Sequence, residues 1–130
     1  MRSALWLIPA TLVLWPGSAA ADNDKTFEYR YETVWSGAIR YIRADKSYTI
    51  KDKDRENGYI LFVYPGSGSV KECSASLQII RMTDDRGFRV VKAKLSIAHQ
   101  PGYVEVQFLD GLELKLREDY GSPPPPERDP

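Results

Sequence analysis

The sequence predicts an α+β domain, a four-stranded antiparallel sheet with two helices on one face. Three observations lead there. Val34, Trp35, Ala38, Ile39 and Ile42 recur at three- and four-residue spacings, as one face of a helix does. Two later segments alternate strictly, as half-buried strands do. Cys73, Ala75, Leu77 and Ile79 oppose Ser74, Ser76 and Gln78, and Val91, Ala93, Leu95 and Ile97 oppose Lys92, Lys94 and Ser96. Val104, Phe108, Leu112 and Leu116 then follow at four-residue spacing, the pattern of a second helix.

The first 21 residues stand apart from this domain. Arg2 supplies a positive start, residues 4–15 are almost wholly apolar, Pro16-Gly17 breaks any helix, and Ala19-Ala20-Ala21 offers small residues before Asp22. This is the build of a secretory signal peptide cut after Ala21. The apolar run falls short of the roughly 20 residues that span a bilayer as a helix. A periplasmic or secreted protein is therefore expected. No cysteine stands at the cleavage point, so no lipid anchor is expected. Cleavage removes only Arg2 from 18 basic residues set against 18 acidic ones. Such a balance argues against a nucleic-acid binder or a polybasic membrane-surface protein.

Within the mature chain, residues 22–26 are polar and expected to be flexible, and residues 27–118 form the single domain. Phe27, Tyr29 and Tyr31 alternate with Glu28 and Arg30, which suggests a short extended segment laid on the fold. Thr33 can cap the first helix, and Gly37 within it leaves room for close packing against the sheet. Residues 48–54 alternate with Tyr48, Ile50 and Asp52 on one side and Thr49, Lys51 and Lys53 on the other. Asn57-Gly58 supplies the positive φ of a hairpin turn. Residues 59–64 (YILFVY) are apolar on both faces and belong in the middle of a sheet. Residues 65–69 form a loop, 70–82 the third strand, 84–87 a turn, and 88–98 the fourth strand. Pro101 opens the last element. Its four-residue spacing favours a helix, while the alternation of Leu112, Leu114 and Leu116 also fits a strand. Residues 119–130 contain Pro123 to Pro126 and read as a disordered polyproline-type tail.

The stretch 31–64 has a further shape: a helix with an early tryptophan (Trp35), a strand ending in Asp54-Arg55, then Gly58 and a strand ending in Val63-Tyr64. It resembles the repeated domain of the lipoprotein C component of the outer-membrane β-barrel assembly machine. That resemblance implies a helix-grip fold and a non-enzymatic envelope protein working through protein contacts. The chain departs from the family by having no lipidation cysteine and room for one such domain only.

Few ingredients of catalysis are present. With one histidine, His99, and one cysteine, Cys73, neither a His/Cys metal site nor a disulfide framework can be built. No nucleophile-elbow or phosphate-cradle motif occurs, and no cofactor or metal is expected. A three-residue turn at 85–87 pairs Thr83 with Arg89 and, ten residues further back, sets Cys73 opposite His99. That opens the alternative of a thiol-dependent enzyme in which His99 is the base. Free cysteines are more commonly buried and inert, so the catalytic set is read as empty. A second alternative is a small-ligand carrier with a pocket between the last helix and the sheet. The leading expectation is a protein-binding or assembly module of the bacterial cell envelope, whose partner is another envelope protein or a second copy. If Ile60, Phe62 and Tyr64 face the core, then Tyr59, Leu61 and Val63 form an exposed apolar patch, rimmed by Lys51 and Lys53.

Overall fold

The computed structural model describes residues 23–66 and 71–130. The elements run β1 (Asn23–Phe27), α1 (Tyr31–Arg40), β2 (Thr49–Asp54), β3 (Tyr59–Tyr64), β4 (Cys73–Thr83), β5 (Arg89–Ile97) and α2 (Gly102–Tyr120). α1 continues through a wider π-helical turn, Tyr41–Asp45, closed by Lys46 N donating to the Tyr41 carbonyl at 2.9 Å. The sheet is antiparallel throughout, in the order β1-β5-β4-β3-β2. β2 to β5 form a meander, and β1 is laid against β5. The expected signal peptide, Asp22, residues 67–69 of the expected loop and Val70 at the expected start of the third strand lie outside the described residues.

The fold class is α+β as expected, but the sheet has five strands rather than four. The added strand is β1, in a segment expected to be flexible. Its sequence, NDKTF, lacks apolar alternation because its inward side chains meet polar groups of α2 instead of the core. Asn23 Nδ2 donates to Glu105 Oε1 at 2.8 Å, and Lys25 Nζ reaches Asp110 at 3.0 Å and Glu113 at 3.3 Å. Those carboxylates raise the pKa of Lys25. Only Phe27 enters the core.

Both helices lie on one face. Ile60 and Phe62 of β3, Leu77 and Ile79 of β4, and Leu95 and Ile97 of β5 pack with Val34, Ala38 and Ile42 below α1 and Phe108, Leu112 and Leu116 of α2. Burying such side chains stabilises by about 1.5–3 kcal/mol each, and this is the main force holding the layers together. An aromatic file links strand to helices: Tyr48 stacks on Phe62, Phe62 on Phe108, and Phe108 meets Tyr41 edge-on at 5.0 Å. α1 begins at Tyr31, two residues before Thr33, and no side chain caps it. Gly37 admits α2 rather than the sheet, since a Cβ there would strike the Leu116 side chain.

Gly58 serves the turn from β2 to β3. Its φ is 75°, and a Cβ would run into the Ile79 carbonyl. Its own carbonyl accepts from Ile79 N at 2.7 Å, which ties the hairpin to β4. The last element is a helix. Leu112 and Leu116 are buried while Leu114 is 61% exposed, so the four-residue spacing governs and the alternation does not.

Candidate functional site: an open sheet face and a strapped strand end

Helices cover one face of the sheet, and among the described residues the other carries no element. Its composition follows from register, because directly opposed residues of an antiparallel pair share a face. Val63 lies opposite Ser74, Leu61 opposite Ser76, and Tyr59 opposite Gln78. The same rows continue through Ser96 and Lys94 of β5. β4 then adds Ile80 and Met82, opposite Lys92 and Val90. Leu61, Ile80 and Met82 are 38%, 39% and 40% exposed, and Tyr59 and Val63 are partly buried. Ile80 and Met82 continue the parity of Ser74, Ser76 and Gln78, which is the signal in the sequence that places them on this face.

The expected lysine rim is broken, because Lys53 does not lie on this face. The β2–β3 register shifts between Ile50 and Asp52, a bulge at Lys51. Beyond it every side chain changes face. Lys53 pairs with Ile60 and so shares the helix-side face, whereas Asp52 pairs with Leu61 and Asp54 with Tyr59. The rim at β2 is therefore Thr49, Asp52 and Asp54. Tyr59 Oη donates to Asp52 Oδ2 at 3.1 Å, and this bond to a carboxylate is the first cause of the raised Tyr59 pKa.

The second feature lies where β4 meets β5. β1 pairs with β5 over residues 91–95 and stops. Residues 127–129 then take up the same edge: Arg89 N donates to the Glu127 carbonyl at 2.8 Å, and Asp129 N to the Gly87 carbonyl at 2.9 Å. The segment read as a disordered tail from 119 onward thus begins inside α2 and ends as a strap on the sheet. The physical reason is that its polar end has partners which the proline run conceals. Glu127 bridges Arg30 at 3.3 Å and Arg89 at 3.7 Å. Asp129 accepts from Thr83 Oγ1 at 2.8 Å and lies 3.3 Å from Arg89 Nε. Those two partners hold the Asp129 carboxyl below its ordinary pKa. Arg128 points the other way, over the Phe88 ring and onto the Arg86 carbonyl. Tyr29 Oη donates to the Gly121 carbonyl and fixes the strap's root. Beside the strap is a cleft of about 560 Å³ lined by residues including Arg30, Arg81, Arg89, Tyr31 and Pro124 to Pro126. Arg81 stacks over the Tyr31 ring at 3.7 Å.

Cys73 and His99 are not brought together. Thr83 does pair with Arg89, but the ladder ends at Ala75 opposite Ile97. The chain then turns, with His99 exposed at φ 61°. Cys73 is buried, its sulfur 3.4 Å from the Lys71 carbonyl and 3.6 Å from Gln100 Nε2. The space between α2 and the sheet, considered for a ligand, is filled by Phe108, Leu109, Leu112 and Leu116. Among the described residues no group of His, Cys, Asp and Glu is placed to hold a metal ion. No helix among them is long and apolar enough to cross a membrane. Comparison with protein-family models and with curated proteins gives no match.

Proposed function

We propose that this chain is an exported, non-enzymatic protein-binding module of the bacterial cell envelope, and that it receives a partner protein on the open face of its sheet. The observation that carries this reading is the set of exposed apolar residues on an uncovered sheet: Leu61, Ile80 and Met82, with Tyr59 and Val63 beside them. Exposed apolar residues set among Ser76, Gln78 and Lys94 suit a protein contact, in which apolar anchors are surrounded by polar groups. The face presents both signs of charge, with Asp52 and Asp54 at one side and Lys92 and Lys94 at the other. This favours a protein over an anionic lipid surface. The resemblance of residues 31–64 to the assembly-machine domain supports the same class of function. Helices held against one face of an antiparallel sheet agree with the helix-grip arrangement it implies.

Site-specific photo-crosslinking in the producing cell tests the proposal. A crosslinker at position 61 or 80 should give one discrete adduct with another envelope protein, and a crosslinker at Leu114 on the outer side of α2 should not. Adding Ile80→Glu to the position-61 probe should cut the yield at least tenfold, the effect of losing an anchor that contributes roughly 1.5 kcal/mol or more. No adduct at either position sinks the reading. An adduct of twice the chain's own mass replaces the partner with a second copy.

A further inference from the structure

The strap at the β4–β5 end is made of contacts that are specific in chemistry yet individually weak. Its backbone supplies generic strand pairing, and its two carboxylates, two residues apart, fall on one side, as alternate residues of a strand do. The receiving side presents three guanidinium groups from three elements: Arg30 before α1, Arg81 on β4 and Arg89 on β5. Arg30 and Arg89 already hold Glu127 and Asp129, and Arg81 stacks on the Tyr31 ring and lies 3.9 Å from Glu32. The ion pairs are solvent-exposed, with side chains about half accessible, and such pairs contribute little each. The linker, Pro123 to Pro126, is a stiff spacer without amide hydrogens. It keeps residues 127–129 near the edge without adding ladder hydrogen bonds of its own. Beside the strap the cleft remains open, with about 560 Å³ of space.

We propose that this edge is a docking site for an extended acidic segment of a partner protein, added as a strand beside β5, and that residues 127–129 are its internal, exchangeable occupant. Strand addition supplies affinity through the backbone, and the arginines select carboxylates at i and i+2. The tether gives the internal segment an effective concentration that an outside segment must overcome. The cleft borders the open face at Met82, but the strand edge and its arginines are distinct from Leu61 and Ile80, and different residues test the two.

The test uses the full chain and two labelled peptides with capped ends: one with the sequence of residues 121–130, and one unrelated in sequence that keeps only the Glu-x-Asp spacing. Glu127→Lys with Asp129→Lys frees the edge. Both peptides should bind this variant at least tenfold more tightly than the wild-type chain. Binding should weaken as salt is raised and vanish when Arg89→Glu is added. Peptides with lysine in place of the two acids should not bind. If the charge-reversed variant loses its native spectrum, Glu127→Gln with Asp129→Asn replaces it, with an intermediate gain expected. The proposal is overturned by equal binding to strapped and freed chains, by no saturable binding to a folded freed chain, or by binding that survives Arg89→Glu. A wild-type dimer that the first peptide dissociates would assign the site to a second copy instead of a partner.

Discussion

Glu105 is wholly buried in the first turns of α2, where its carboxylate accepts from Ile97 N at 2.6 Å and from Asn23 Nδ2 at 2.8 Å. One side chain thereby joins the end of β5, the start of β1 and the start of α2. Glu105→Ala would leave two buried donors without an acceptor and is expected to destabilise by roughly 2–4 kcal/mol. Glu105→Gln keeps one oxygen and should lose clearly less. Urea midpoints of the two variants check this, and equal midpoints would contradict the role. The residue was not legible in the sequence. A glutamate between Val104 and Val106 reads as a solvent-side position, and its partner Asn23 lies 82 residues away. The Cys73–His99 pairing failed for a related reason. Parity and turn length correctly pair Thr83 with Arg89, but they cannot say where a ladder stops.

At the level of elements, the turns rest on aspartates. The Asn57 side chain donates to Asp54 at 2.7 Å and the Asn57 amide at 3.1 Å, and these bonds hold the Asp54 carboxyl below its ordinary pKa of 3.8. Asp84 is held down by the Phe88 amide and by Arg86. A carboxyl depressed in the folded state makes the unfolded chain the better proton acceptor as pH falls. Its contribution is complete above about 3.8 and lost as pH drops through the lower folded value. Urea midpoints measured downward from pH 5 should therefore fall mainly below pH 4, and Asp84→Asn should flatten part of that fall. An unchanged slope in the variant would remove Asp84 from the account. Helices and inner strands were legible because their buried faces repeat at 3.6 or 2 residues. The bulge at Lys51 was not, since one extra residue reverses a face without altering composition, and so Lys53 is turned off the face that Asp52 and Asp54 occupy.

For the molecule as a whole, the legible part is the meander from β2 to β5, whose contacts are local, together with the two helices that cover it. Both features that escaped the sequence reading, β1 and the strap, come from the ends of the described chain and share one edge of β5. Their polar sequences reveal nothing until the edge that receives them is known. That edge would otherwise offer unpaired backbone to other chains. Deleting residues 23–27 is expected to raise concentration-dependent association relative to the full chain, read by light scattering, and an unchanged scattering profile would argue that β1 does not protect the sheet. The placement of β1 also orders events in time. Asn23 pairs with Leu95 and Phe27 with Val91, so β1 must wait for the synthesis of β5 before it has a neighbour. Pairings that close so large a loop are slow to form. A chain in synthesis therefore carries residues 23–27 without a strand partner until β5 has been made, and the sheet closes on the earliest of its described strands.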